Sequence, residues 1–356
     1  MRKGIIPVMK KFSLPTIVII SVFLQFFTVS CQKEVSKIVE GARIVVNSSY
    51  SVSELDESQI HPLLNGNSFI GAAGIYDIGG GCALLHMMAG AYCFTWIDLS
   101  TGETKGIIQR GRGPNEMLDA GFSGSRINEA GDTEILIYSL SSQELACVNL
   151  TKCLSGGSDV IAYRRPLPKS TMYALSSSSD LFCYVFEDHQ TVSWVISDES
   201  GEIEKVQPFG DNGHIVDASD YFAVNAVSED GKYLLMGMAS FPRLFIFNRE
   251  GENISVAFDN KETDAQINDK LSQGVTASEE YCVWIQIKDK RIYYLTLDQD
   301  AGRSGRFEEI LYVLDLKGKV SSALRIKEPL TSFIVSSNGE TLTGITMNGE
   351  LYSFSL

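Results

Sequence analysis

The chain has 356 residues, of which 44% are hydrophobic, 10% aromatic and 21% charged. That is enough apolar material to bury a sizeable core. Acidic residues outnumber basic ones by 44 to 30, for a net charge of −14; with no basic stripe to offset it, such a surface repels phosphate backbones, and nucleic acid is excluded as an expected partner.

The first thirty residues read as an export signal. Arg2, Lys3, Lys10 and Lys11 give a positive start, and residues 14–29 run almost without polar side chains. A charged flank followed by a short apolar stretch is the pattern of a secretory signal, and the stretch falls short of the roughly twenty residues that span a bilayer. Thr28-Val29-Ser30-Cys31 then places small residues before a cysteine. This resembles the lipobox of bacterial lipoproteins, which implies acylation of Cys31 and cleavage just before it. Thr28 stands where that motif commonly has Leu. Cleavage removes four basic residues and no acids, leaving 26 against 44 and a net charge of −18. Gln32-Lys33-Glu34 has two readings: a solvated linker, or a match to the short signal that sends Bacteroidetes lipoproteins to the cell surface. The expected organisation is a signal peptide at 1–30, a lipidated tether at 31–41 and one domain at 42–356, with an insertion at about 259–275.

From Ala42 onward the chain reads as strands. Short runs rich in Val, Ile, Tyr, Phe and Trp recur between Gly, Asn, Asp and Ser turns: residues 92–99, 134–140, 193–197, 243–248, 291–297 and 310–316. Helical periodicity shows only near Asp259 to Gln273. A signature repeats in which an apolar strand ends in Asp or Asn and runs into a polar turn. The positions are Asp98, Asn149, Asp198, Asn248, Asp315 and Asn348, separated by 51, 49, 50, 67 and 33 residues. Asp and Asn suit such turns because their side chains bond the backbone just ahead. The long gap is assigned to the insertion and the short one to the end of the chain. A period near fifty with four strands per unit is the mark of a β-propeller. The expected fold is therefore all-β, a six-bladed β-propeller closed by an N-terminal strand. The last blade shows three strands, and Ala42 to Asn47 is the expected fourth.

The most distinctive local stretch is Gln109-Arg110-Gly111-Arg112-Gly113-Pro114-Asn115-Glu116. Gly111 to Met117, followed by residues 135–150, looks like an NHL-type propeller repeat, with Ser139 where that repeat has Asp. The whole of residues 31–356 resembles the TolB-like six-bladed propeller lipoproteins of Bacteroidetes, which combine a lipobox, a lone RGxGPxE loop and degenerate blades. That resemblance is specific for fold and weak for function. Arg110, Arg112 and Glu116 have two readings: a contact for an anionic group on a ligand or partner, or a set that holds the loop and neighbouring blades.

Conventional catalytic sets are missing from the sequence. His86 lies in an apolar strand, which suits a buried histidine better than a ligand. Asp188-His189 falls at an expected hairpin tip with no serine elbow. Asp211, His214 and Asp217, with Asp220, form the best local group of metal ligands, at a spacing that fits no standard loop. Asp298 and Asp300 resemble the start of a calcium loop that lacks its sixth-position glycine. Besides Cys31 there are six cysteines, with no CxxC pair; Cys147 and Cys153 flank a short turn and are the one candidate disulfide. No cofactor is expected. The expected function is a membrane-anchored extracytoplasmic binding or scaffold propeller whose partner is an envelope protein, peptide or glycan. The alternative is a propeller enzyme, a carbohydrate or lactone hydrolase or lyase with its site in the central channel. The expected location is the outer membrane, facing either the cell surface or the periplasm.

Overall fold

A computed structural model describes residues 39, 41–64, 68–187, 191–198, 200–209, 222–258, 263–272, 281–298 and 308–356. Three short N-terminal strands come first: β1 (Arg43–Asn47), β2 (Val52–Glu54) and β3 (Ile60–Pro62). Blade 1 follows, with β4 (Ala72–Asp77), β5 (Cys82–Met87), β6 (Tyr92–Asp98), β7 (Thr104–Arg110) and the two-residue β8 (Glu116–Met117). Blade 2 has β9 (Gly121–Ile127), β10 (Thr133–Ser139), β11 (Glu144–Asn149), a one-turn helix α1 (Leu150–Leu154) and β12 (Ile161–Pro166). Blade 3 has β13 (Thr171–Ser176), β14 (Leu181–Glu187), β15 (Thr191–Asp198) and β16 (Gly201–Val206). Blade 4 has β17 (Ala223–Val227), β18 (Tyr233–Met238), β19 (Arg243–Asn248) and β20 (Ile254–Phe258), and helix α2 (Asp264–Ser272) follows it. Blade 5 has β21 (Cys282–Lys288), β22 (Arg291–Leu297), β23 (Glu309–Asp315) and β24 (Val320–Ile326). Blade 6 takes β25 (Leu330–Val335), β26 (Thr341–Thr346) and β27 (Leu351–Ser355) from the C-terminus.

The four main strands of blades 1 to 5 form antiparallel sheets in sequence order, and the six blades together form the expected six-bladed propeller. Second and third strands are apolar almost throughout, because both their faces meet a neighbouring blade; β10 and β19 are buried at nearly every position. The fourth strand of blade 3, Gly201–Val206, faces water and reads as polar, whereas that of blade 4, Ile254–Phe258, is apolar and buried throughout. Six hydrophobic clusters result, one at each junction between blades. Phe94, Phe182, Phe245, Phe333 and Phe354 lie within them, fully buried; each is worth roughly 1.5–3 kcal/mol of burial.

The turn signature holds in five blades. Asp98, Asn149, Asp198, Asn248 and Asp315 each end a third strand and accept from the backbone ahead. Asp198 Oδ1, for example, takes Ser200 N at 2.7 Å and Gly201 N at 3.1 Å, and Asn149 Oδ1 caps α1 through Lys152 N at 2.7 Å. The sixth position differs. Asn348 lies between β26 and β27, at a second-to-third-strand turn. The last gap is short because it compares two different turns, not because the chain runs out.

Ring closure also differs from expectation. The fourth strand of blade 6 is β3, which pairs antiparallel with β27 in the register Ser353↔His61. The segment expected there, Ala42 to Asn47, instead forms β1, which adds parallel to β20 at the outer edge of blade 4. β2 adds parallel to β24 at the edge of blade 5. The chain must therefore travel past two blades before it reaches the open edge, and it contributes to a core at each stage. Val39 and Ala42 pack into the blade 3–4 cluster, Val45 and Val52 into 4–5, Leu55 and Ile60 into 5–6, and Leu63 and Leu64 into 6–1. Asn47 adds a polar rivet. Its Nδ2 donates to Gly318 O at 2.9 Å and its Oδ1 accepts from Val320 N at 3.1 Å, tying the edge of blade 4 to the turn of blade 5.

The helix expected within Asp259 to Gln273 is α2. It is pinned by a buried ion pair, Asp264 Oδ1 to Arg243 Nε at 2.8 Å, and by Ile267 in the blade 3–4 cluster. Cys147 and Cys153 are free thiols, one inside β11 and the other on α1.

Glu309 opens β23 and is buried, with its Oε2 accepting from Leu330 N at 2.9 Å, a link from blade 5 to blade 6. Burial pushes its carboxyl up from 4.5 to about 8, against the opposing pull of the Leu330 bond. The folded state thus holds a proton that the unfolded chain releases near 4.5. The contribution of this group is full below that pH, falls as pH rises to about 8 and is flat beyond. Thermal unfolding of wild type and Glu309→Gln should show the variant gaining relative stability between pH 4.5 and 8, with parallel curves outside that window. A constant difference would remove Glu309 as the cause.

Candidate functional site

Inner strands border the axis, so besides the residues they give to the inter-blade cores they carry others that line the channel. There they enclose a cavity of about 390 Å³ walled by all six blades. Tyr76, Phe122, Tyr138, Tyr173, Asn225 and Trp284 give it its character. Phe122 of blade 2 stacks on Tyr76 of blade 1 with ring centroids 4.6 Å apart, and Tyr76 meets Trp284 of blade 5 at 5.7 Å. Blades 2 and 5 lie opposite each other, so these three rings bridge the channel.

Two wall residues come from second strands, Tyr138 through a glycine window. Tyr138 on β10 pairs with Gly121 on β9, and His86 on β5 pairs with Gly74 on β4. A Cβ at Gly121 would lie 2.2 Å from the Tyr138 ring, so only glycine lets that ring cross the inner strand. The inner strands are held together by side chains. Ser332 Oγ accepts from Ile75 N at 2.7 Å, Gln286 Oε1 accepts from Val335 N at 2.9 Å, and Ser123 and Ser176 share a 2.7 Å hydroxyl bond.

The cavity is electrically quiet. Asp77 is paired with Lys288 at 3.2 Å. Burial first, and then the Arg110 charge, lowers the pKa of His86 and favours the neutral imidazole. Burial raises the phenols of Tyr76, Tyr138 and Tyr173, and their mutual proximity adds to it for Tyr76 and Tyr138. All three stay protonated at physiological pH, and none has a hydrogen-bond partner among the described residues. Asn225 is buried; its Nδ2 donates to Ala223 O at 2.9 Å while Oδ1 has no donor. The wall thus offers aromatic faces and neutral hydroxyls.

None of these residues stood out in the sequence except His86, which is half-buried on the cavity wall against Phe94. The available signal was the composition of the inner strands, where Gly, Ser, Asn and Gln interrupt the apolar runs seen in second strands. Asp211, His214, Asp217 and Asp220 lie outside the described residues, as do Asp188, His189, Asp300 and Cys31. Among the described residues, no three His, Cys, Asp or Glu come together as a metal-binding group.

The arginine-glycine loop lies away from the axis, between blades 1 and 2. Arg110 binds its own chain, Nη1 to Leu118 O at 3.4 Å and Nη2 to Met87 O. Glu116 accepts from Gly113 N at 2.7 Å. Arg112 is exposed beside an open cavity of about 460 Å³, with no ion pair or hydrogen bond among the described residues. Arg164, which shares that cavity, is paired with Glu144. Asp119 accepts from Ser139 Oγ at 2.5 Å and from Leu140 N at 3.0 Å. The structure thus brings Arg112 and Glu116 to one cavity while Arg110 turns to the backbone behind His86.

Glycine at 111 makes room for a carboxylate. A Cβ there would lie 2.0 Å from Glu116 Oε2. Gly111→Ala should therefore cost about 1–3 kcal/mol, and much of that cost should vanish when Glu116→Ala is also present, giving a coupling of about 0.5–3 kcal/mol in denaturant unfolding. Arg112→Ala should stay within about 0.5 kcal/mol of wild type. Additive effects at 111 and 116 would contradict this account of the loop.

No protein-family model matches the sequence, and no curated protein matches it. Solved structures do. A Bacteroides fragilis protein described as exported superposes with a TM-score of 0.53 at 12% identity, covering 88% of this chain and 99% of its own. A Bacteroides vulgatus member of the DUF4221 family superposes with a TM-score of 0.53 at 10% identity, covering 86% and 97%. At such identities the likeness is one of fold.

Proposed function

We propose that this chain is an exported lipoprotein of the TolB-like propeller kind, held to the outer membrane by lipid on Cys31, and that it binds a ligand at the ring's axis. The observation that carries the binding reading is the cavity walled by six blades, lined by three phenols that have no hydrogen-bond partner among the described residues. A preformed pocket of this size, apolar with a few convergent polar groups, is the usual form of a small-molecule site. The charged start, the apolar run and the small residues before Cys31 support export. A fold shared with an exported Bacteroides protein fits the same reading. The ligand belongs to an envelope glycan, peptide or protein.

A specific observation favours a second reading. His86 reaches the same cavity as a neutral imidazole, the form of a general base, with phenols nearby that can serve as acids. Binding is preferred because the wall shows no activated nucleophile and no paired carboxylates among the described residues.

The test uses the lipidated protein extracted from its own envelope in detergent. Denaturing it should release a compound that rebinds the refolded or fresh protein near one to one and is recovered unchanged by mass spectrometry. Steady conversion of that compound by the purified protein, lost in His86→Ala, would overturn the binding reading in favour of the enzyme. Globomycin should make the same cells accumulate the uncut precursor; no accumulation would overturn the lipid anchor.

A further inference from the structure

We infer that the axial cavity receives an uncharged sugar ring. The inference rests on the binding reading above and gives it a ligand class. Three features of the wall combine to define that class.

The first is charge. Asp77 has Lys288 as its counter-ion, His86 is held neutral, and the phenols keep their protons. A carboxylate, phosphate or ammonium entering here would lose its water with no opposite charge left to meet it, which is costly.

The second is the unpaired polar set. Tyr76, Tyr138 and Tyr173 bring three hydroxyls to one space, each able to donate and accept. Asn225 is not part of this set: its Nδ2 is held by Ala223 O, and its Oδ1 is buried behind the wall. Gln286 uses Oε1 on Val335 N, which leaves Nε2 for a ligand acceptor. A purely apolar ligand would displace water from these groups and leave them unsatisfied. A ligand with hydroxyls around its rim would satisfy donors and acceptors alike.

The third is shape. The Phe122–Tyr76–Trp284 bridge presents flat aromatic surface inside the channel. A pyranose has an apolar C–H face and a hydroxylated edge, which suits an aromatic floor with polar walls. The volume, about 390 Å³, is within the roughly 300–1,000 Å³ range of small-ligand sites.

The experiment is a binding panel on the full-length lipidated protein in detergent, read by equilibrium dialysis and by tryptophan fluorescence. The probes are neutral mono- and oligosaccharides, uronic acids, short peptides and p-cresol. At least one neutral sugar should bind saturably, and the others weakly or not at all. Trp284→Ala should weaken that binding by about tenfold or more. Tyr173→Phe, which deletes one partnerless hydroxyl, should weaken it by about three- to tenfold with no change in thermal unfolding. Arg112→Ala, away from the axis, should change nothing. If a uronic acid, peptide or p-cresol binds instead, and the two cavity variants weaken it, the sugar class is wrong while the cavity remains the binding site. Sugar binding that both variants leave intact overturns the placement at the axis and with it the binding reading. No saturable binding by any probe overturns the sugar class.

Discussion

A ring of antiparallel blades keeps an open edge wherever its chain enters and leaves, and unpaired strand edges invite association with other chains. Here the edge is sealed by a strap, residues 39–64, that does more than add one strand. It runs along the outer edges of blades 4 and 5 as β1 and β2, then becomes the fourth strand of blade 6 as β3. On the way it contributes apolar residues to four of the six inter-blade cores. Half the circumference is thus stapled by one segment, and the axial cavity keeps its shape only if the blades stay in contact around the whole ring. The strap also fixes where any tether from Cys31 enters. Val39, the first described residue, packs at the junction of blades 3 and 4, opposite the seam between blades 6 and 1.

The same geometry explains why the site is polar and the junctions are not. Second and third strands are sandwiched between blades and bury both faces. Inner strands have one side open to the axis, where hydroxyls, amides and aromatic edges can remain without protein partners. Glycine completes the arrangement. Gly121 removes the inner-strand side chain opposite Tyr138, so that ring reaches the channel from one strand further out, and His86, opposite Gly74, also lines it. The wall of the cavity is consequently two strands deep in blades 1 and 2. Arg110, bound to backbone carbonyls behind this wall, adds to the burial that keeps His86 neutral. The arginine-glycine loop and the axial site are thereby neighbours through the blade rather than parts of one surface.

Much of the fold was legible because its signals are local. An Asx turn needs only the residues within one hairpin, so Asp98, Asn149, Asp198, Asn248 and Asp315 marked five third strands correctly. Asn348 misled because the same chemistry suits a different turn of the blade. The strap was beyond reach for the opposite reason. β1, β2 and β3 are three to five residues long, and their partners lie more than 200 residues away. Nothing in Arg43–Asn47 distinguishes a parallel edge strand on blade 4 from a closing strand on blade 6. The site was legible least of all. Tyr76, Phe122, Tyr173, Asn225 and Trp284 are single residues from five blades, with no fixed spacing. Only the ring brings them together. The loop at Arg110 to Glu116 drew notice because its glycines are conspicuous, and those glycines turn out to accommodate Glu116.

Strap closure is tested most directly by deleting residues 39–68 and joining residue 38 to Phe69, then following thermal unfolding and hydrogen exchange. The deletion removes four buried aliphatic side chains, Val39, Ala42, Val45 and Leu55, together with the strand pairing of β3. At about 1–3 kcal/mol for each large side chain the loss is several kcal/mol, enough to lower Tm by roughly 10 °C or more. Exchange protection should fall first in β20, β24 and β27, the three strands the strap covers. An unchanged Tm with protection intact in those strands would contradict the claim that the strap holds the ring closed.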